Sequence, residues 1–230
     1  MLRKKLVLAL AMSVAFSVFT VTAQDEGEEF APETIRSWII RETARSTNLE
    51  QKLIALQFVS DLMEAGETGR EIIETLEFLA IEGIINQTFE SGRLTNNFPT
   101  ARREAVRLLG VLGTEEARQI LVRAILAETE SMVLAEAVRS LGVIGTNPND
   151  QTASAIAWAV TRFDTLNPNN LLALSAIDTF QILAGSEEGV TNPNIARLLV
   201  RISEGSYVRV VRERAHALLM ELIGFQQAGS

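Results

Sequence analysis

Hydrophobic residues in the middle of the chain recur with helical spacing, and one nine-residue pattern occurs twice. Residues 105–113 return 32 positions later as residues 137–145, and a second apolar-periodic run, Glu115–Ala127, lies between the two copies. A two-helix unit repeated at a fixed interval is typical of an α-solenoid, in which each unit buries its apolar face only against its neighbours. The pattern therefore predicts an all-α solenoid of antiparallel helix pairs.

One small residue marks the register of the predicted units. The alanines that share this position are Ala55, Ala105, Ala137, Ala176 and Ala215. We expect two helices to approach closely there, because a larger side chain would force them apart. Gly113 and Gly145 follow the apolar runs where a helix C-terminus favours a left-handed residue. No segment alternates with a period of two, so strands are not expected.

The predicted solenoid domain covers residues 33–225, with a longer connection at residues 84–98 that is either functional or mobile. Pro32 opens an N-terminal helix in which Ile35, Trp38 and Ile39 form an apolar stripe, with Ile40 as a further candidate, so Trp38 is interpreted as a packing residue of a capping helix. Phe58 is placed on the inward stripe of the next helix.

The first 23 residues resemble a secretory signal peptide. Arg3, Lys4 and Lys5 precede an apolar run at residues 6–18, and small residues at 21–23 form a cleavage site. The alternative is an uncleaved membrane anchor, since the apolar run is nearly long enough to span a bilayer. Residues 24–32 are an acidic leader. Because the chain has no cysteine to carry a lipid, we expect a periplasmic or secreted protein with no integral membrane segment after cleavage.

The negative charge is concentrated near the N-terminus. Residues 24–92 carry 15 acidic and 5 basic side chains, whereas residues 93–230 carry 14 acidic and 13 basic ones. A net-acidic surface repels phosphate backbones, so a nucleic-acid partner is not expected. The acidic third is interpreted either as a solubilising face or as a docking surface for a basic protein.

The segment from Pro99 to Gly113, with Arg102, Ala105 and Gly110 inside it, resembles the HEAT repeat, in particular the short variety of the phycobilin-lyase group. Residues 206–215 look like the opening of another copy. The resemblance implies a right-handed superhelix whose second helices line a concave, partner-binding surface, and it implies no single activity. The iron-coordinating His-Glu pairs of HEAT-like hydroxylases are missing from this sequence.

Candidate chemistry is sparse. His216 is the single histidine and there is no cysteine, so we expect no transition-metal site and interpret His216 as structural. No nucleophile–base set or glycine-rich phosphate loop is present, and neither a cofactor nor an enzymatic activity is expected. The arginines of the first helices are expected to form exposed ion pairs on the convex face; they include Arg102, Arg103, Arg107, Arg139, Arg209, Arg212 and Arg214.

Trp158 is the candidate binding residue, because it lies about 200° round its helix from the apolar stripe that contains Ile156. Alignment of the second helices places Val122 and Val200 at equivalent positions, and Arg162 follows one turn after Trp158. The candidate site therefore comprises Val122, Arg123, Trp158, Arg162, Val200 and Arg201. A lateral packing seam between helices is the alternative interpretation of this position.

These observations predict an exported scaffold that binds another protein in the cell envelope. One alternative is a lyase-like or accessory enzyme that holds a small ligand between repeats. Another is a self-assembling structural protein, for which an apolar terminal face would be the expected sign.

Overall fold

The computed structural model describes residues 32–164 and 168–228, and most of these residues are helical. The α-helices are α1 (Pro32–Arg45), α2 (Leu49–Glu64), α3 (Arg70–Ile81), α4 (Pro99–Leu112), α5 (Glu115–Ala127), α6 (Ser131–Ile144), α7 (Gln151–Asp164), α8 (Asn170–Ala184), α9 (Pro193–Glu204) and α10 (Arg209–Ala228). A 3₁₀ turn, Pro148–Asp150, precedes α7. Within these ranges the fold is all-α apart from one small hairpin and an isolated bridge between Glu82 and Asn86.

That hairpin lies in the connection at residues 84–98, where the sequence predicted no strand. Strands β1 (Phe89–Glu90) and β2 (Arg93–Leu94) pair antiparallel. Ser91 and Gly92 between them both have positive φ, at 51° and 78°, which matches the twist that a two-residue hairpin turn requires. The expectation of no strands was therefore wrong here, and a Ser-Gly pair was the missed turn signal.

The helices form two rows. In one row α2, α4, α6, α8 and α10 each contact the next, and in the other α1, α3, α5, α7 and α9 do the same. Helices of one row also pack against their sequence neighbours in the other. A single hydrophobic core therefore runs along the molecule between the two rows.

All five register alanines are buried, as expected for positions where two helices approach closely. Close approach within the α4–α6–α8 row also depends on glycine. A Cβ added to Gly110 would lie 2.6 Å from Ser140 Cβ, and one added to Gly142 would lie 2.8 Å from Thr179 Oγ1. These helices thus meet almost backbone to backbone.

Most predicted helix ends are confirmed. Gly113 and Gly145 close α4 and α6 in the left-handed conformation, with φ of 69° and 73°. Asn48 accepts a hydrogen bond from the Glu50 amide at the start of α2, and Thr114 caps α5 in the same way.

The predicted inward stripe of α1 was wrong except at Ile40. Trp38 is 61% exposed, and Ile35 and Ile39 are exposed as well, whereas Ile40 and Ala44 are buried. The reason is that α1 is the first described helix of its row and packs mainly against α2 and α3, so among the described residues one side has no helix against it. Phe58 on α2 was also predicted inward, and it is exposed because α2 is likewise the first described helix of its row.

Arg102 was expected on the surface and is instead buried. Its Nε lies 2.7 Å from the Glu128 carboxylate, and its Nη1 donates to the Glu82 carbonyl at 3.2 Å. Lys52, also buried, lies 2.7 Å from Glu82 Oε2 and donates a hydrogen bond to Oε1 at 2.9 Å. Two buried ion pairs are therefore joined through Glu82. A buried cation needs such partners, since an unpaired one would lose its hydration without compensation.

The predicted signal peptide and almost all of the acidic leader lie outside the described residues. Within the described ranges, no helix is both long enough and apolar enough to cross a lipid bilayer.

Candidate functional site

A solvent-open groove separates α7 from α9, which are neighbours in one row. Its volume is about 470 Å³. From α7 it is lined by Ser154, Ala157, Trp158 and Thr161, whose spacing of three and four residues places them along one side of the helix. From α9 it is lined by Asn192, Asn194, Arg197, Leu198 and Arg201. Unlike the tightly packed α4–α6–α8 row, this part of the second row leaves space between its helices.

Trp158 is the large aromatic residue of this groove. It is 44% exposed, so its helix neighbours do not bury the indole. The Arg162 guanidinium carbon lies 4.6 Å from the centre of the indole ring, within the range of a cation–π contact. Arg162 also donates a hydrogen bond to the main-chain carbonyl of Glu128. The Arg162 guanidinium is therefore held between the indole ring and the Glu128 carbonyl.

The opposite wall begins at the cap of α9. Asn192 accepts a hydrogen bond from the Asn194 amide at 2.9 Å, as an N-cap residue does, and its amide nitrogen donates to Ser154 Oγ at 2.9 Å. This second bond ties α9 to α7 at one end of the groove. Arg197 follows on the same side of α9 and donates to the Asn194 side chain at 2.9 Å.

The lining is polar and cationic around an aromatic centre. None of the described residues that line the groove is acidic, while Arg197 and Arg201 both line it. The amides of Asn192 and Asn194 and the hydroxyls of Ser154 and Thr161 add hydrogen-bonding groups of both kinds. Such a lining can hold a planar or aliphatic group against the indole and can bind the polar groups beside it.

The structure divides the predicted site residues among several places. Trp158 and Arg201 line the α7–α9 groove, and Arg162 stacks on Trp158. Val122 and Arg123 line a separate groove between α5 and α7, where Arg123 pairs with Glu77 at 2.5 Å.

Val200 is exposed on α9 and does not line either groove. Val122, Trp158 and Val200 were predicted to lie at equivalent positions along one surface. The structure instead places Trp158 in the α7–α9 groove and the two valines elsewhere.

Several groove residues were not anticipated from the sequence. Ser154 and Thr161 share the helical spacing of Trp158, and that spacing could have identified them. Asn192 and Asn194 flank Pro193 at the start of α9, where asparagine is an ordinary N-cap residue. Their place in the groove depends on the distance between α7 and α9, which no local pattern specifies.

No group of three or more metal-binding side chains occurs among the residues that the structure describes. His216 lies exposed on α10, outside this groove.

Comparisons of the chain with models of protein families, with curated protein sequences and with solved structures found no match.

Proposed function

We propose that this chain is a HEAT-type α-solenoid whose function is to bind a protein partner, with the α7–α9 groove as the main binding site. The repeated pattern at residues 105–113 and 137–145 and the two rows of helices support the solenoid. In such proteins successive helices of a row create long surfaces with regular spacing, which suit extended polypeptides.

The single observation that carries the proposal is the half-exposed indole of Trp158 held by Arg162. Tryptophan and arginine are the residue types that most often dominate the free energy of protein association. A side chain that is already fixed loses little entropy when a partner binds, so the contact retains more of its favourable energy. The neighbouring amides can bind the main chain of the partner.

We further propose that the chain works in the cell envelope after export, which the charged start, apolar run and small-residue site of residues 1–23 support. The natural test material is therefore an envelope extract. Partners captured on the wild-type chain are identified, and their affinity for purified variants is then measured by calorimetry.

The decisive variant is Trp158→Ala. We expect the affinity for the partner to fall by about 2 kcal/mol or more, which is roughly 30-fold, while the midpoint of thermal unfolding barely moves. Trp38→Ala is the matched control, because Trp38 is also exposed but lies on α1, far along the row from α7. It should leave this affinity unchanged.

Loss of stability without loss of affinity in Trp158→Ala would contradict the proposal and would favour the packing seam. Equal losses of affinity in both tryptophan variants would also contradict it, because the effect would not belong to the groove. Binding of a small compound in the groove would instead favour the alternative function, in which the chain holds a small ligand between repeats. The groove volume is large enough for such a ligand.

A further inference from the structure

Each internal helix of the α2–α10 row has one side toward the helix before it and one toward the helix after it. Ser140 and Thr179, three residues after the register alanine, meet the preceding helix, where they contact Gly110 and Gly142. Gly110 and Gly142 lie five residues after the alanine and meet the following helix. At the two ends of the row, one of these sides has no neighbour.

The N-terminal end of the row is apolar. Phe58 on α2 occupies the position of Ser140 and Thr179, and it is 47% exposed because α2 is the first helix of this row in the part of the chain that the structure describes. Ile54, one turn earlier on the same side of α2, is exposed as well. Phe58 and Ile54 therefore present a side that every later helix of the row uses for packing.

The C-terminal end of the row is α10. The position one residue after the register alanine is buried in the earlier helices, as in Val106 and Val138, but in α10 it is His216, which is exposed. Met220 occupies the position of Gly110 and Gly142 and is 56% exposed. Arg212 lies one turn before His216 on the same side and is also exposed.

The charges of the two ends are complementary. Glu50 and Asp61 are exposed on the side of α2 that carries Ile54 and Phe58. The corresponding side of α10 carries Arg212 and His216. On the neighbouring turns of α10, Arg209 and Glu213 neutralise each other at 2.6 Å, and Glu204 of α9 lines the same shallow groove.

We propose that a second copy of this chain docks head to tail, with α10 of one copy packed against α2 of the next, so that the helix row continues across the junction. Phe58 would then contact Met220 of the adjacent copy, as Ser140 contacts Gly110 inside one copy. These side chains are larger than serine and glycine, but in the neighbouring helices α8 and α10 the same two positions carry Gln181, which is exposed, and Leu218, which is buried, so larger residues occur there within one copy.

Charge selects this arrangement over a symmetric one. Two N-terminal ends facing each other would also bury Ile54 and Phe58, but they would bring Glu50 and Asp61 of both copies together. In the register that pairs Phe58 with Met220, a head-to-tail contact instead places Glu50 beside Arg212, while Asp61 lies beside Ile223 and meets no second carboxylate of α2. Because the two contacting surfaces differ, the contact is heterologous and repeated docking adds copies beyond the dimer, as an open chain or, where the rotation between copies closes, as a ring. This surface is separate from the α7–α9 groove and does not depend on the proposed function.

The test is analytical ultracentrifugation of the purified chain over a wide concentration range. Intact mass spectrometry identifies the first residue of the sample. Wild type should associate beyond the dimer as its concentration rises. Phe58→Asp and Met220→Asp should each remain monomeric to at least tenfold higher concentration. Both residues are exposed, so both variants should fold. Val143→Asp is the matched control, since Val143 is exposed in the middle of the row, and it should associate as wild type does.

Mixing the two variants gives the sharpest outcome. Phe58→Asp retains an intact C-terminal end and Met220→Asp an intact N-terminal end, so together they should form a one-to-one dimer that grows no further. Association of Met220→Asp alone, with Phe58→Asp monomeric, would overturn the proposal in favour of a symmetric contact between N-terminal ends. Wild type that stays monomeric at every concentration, or variants that associate like wild type, would overturn it as well.

Discussion

The two halves of the α2–α10 row fill the same register position in opposite ways. Three residues before the register alanine, α2 has Lys52 and α4 has Arg102, both buried cations. At the same position α6 has Leu134 and α8 has Ala173, both buried and apolar. One position of the helix register is therefore occupied by a buried ion in α2 and α4 and by an apolar side chain in α6 and α8.

In the ionic half, each cation reaches the carboxylate that follows a helix of the other row. Lys52 pairs with Glu82, the residue after α3, and Arg102 pairs with Glu128, the residue after α5. Arg102 also donates to Asn97 Oδ1 at 2.8 Å and to the Glu82 carbonyl, so it holds both ends of the hairpin-containing connection. These ion pairs fix loops as well as helices.

In the apolar half, the backbones approach closely instead. Thr179 Oγ1 donates to the Val138 carbonyl at 3.0 Å, which adds a hydrogen bond between α8 and α6 at the point where Gly142 allows the contact. No loop is held by this junction. Close packing therefore sets the distance between the helices, whereas the buried ion pairs also hold the connection at residues 84–98 in place.

The largest predicted effect comes from breaking one ion pair. Arg102→Leu copies the residue that α6 uses at this position, but it leaves the buried Glu128 carboxylate without its cation, so we expect a loss of about 3–5 kcal/mol in the free energy of unfolding. Urea denaturation measures it. The double variant Arg102→Leu/Glu128→Gln should regain part of the loss, because no unpaired charge remains and the glutamine oxygen can still accept from the Thr129 and Glu130 amides.

A loss below about 1 kcal/mol in Arg102→Leu would show that the ionic junction behaves like an exposed pair, and the contrast between the two halves would fail.

The next effect comes from the close contact between α4 and α6, at the border of the two halves. Gly110→Ala places a methyl group 2.6 Å from Ser140 Cβ, and the two helices must separate to admit it. We expect a cost of about 1–3 kcal/mol from overpacking. Gly224→Ala is the matched control, because a Cβ there meets no atom within 4 Å and α10 gains a better helix former.

The two glycine variants should therefore shift the unfolding midpoint in opposite directions. Equal shifts would mean that the α4–α6 contact can relax at little cost.

Much of the helix pattern could be predicted from the sequence. The apolar period, the register alanines and the capping residues are local signals, and they locate the helices and most buried residues. The exposed Trp38 and Phe58 could not be placed correctly, because their spacing matches that of buried residues. Only their position at the end of a row, where no neighbour covers them, makes them exposed.

The buried ions escaped prediction for a different reason. Arginine in a helix is usually exposed, and nothing local to Arg102 indicates that Glu128, 26 residues later, returns to meet it. The groove shows the same limit. Trp158 was identified from its angle on the helix, whereas its partner wall on α9 depends on a distance between helices that periodicity does not encode.

The smallest predicted effect contrasts an exposed carboxylate with a buried one. A hydrogen bond from Arg118 lowers the pKa of Glu115 from 4.5 to about 2, although the Glu115 side chain is 55% exposed. Burial has the opposite effect on Glu82 and raises its pKa, and Lys52 offsets this only in part.

A lowered pKa in the folded state means that Glu115 stabilises the protein above its unfolded pKa and loses this contribution as the pH falls from 4.5 toward 2. Glu115 is exposed, and the buried Arg118 keeps its hydrogen bonds to Thr152 and Gln151, so Glu115→Gln should cost about 1 kcal/mol or less at neutral pH, and the difference from wild type should vanish below pH 2. For Glu82 the sign reverses, since its raised pKa gives a contribution that is present at acidic pH and is lost as the pH rises. The stability difference between wild type and Glu82→Gln should therefore change with pH in the direction opposite to that of Glu115→Gln. Urea denaturation at several pH values compares the two slopes, and slopes of the same sign would show that burial does not dominate the environment of Glu82.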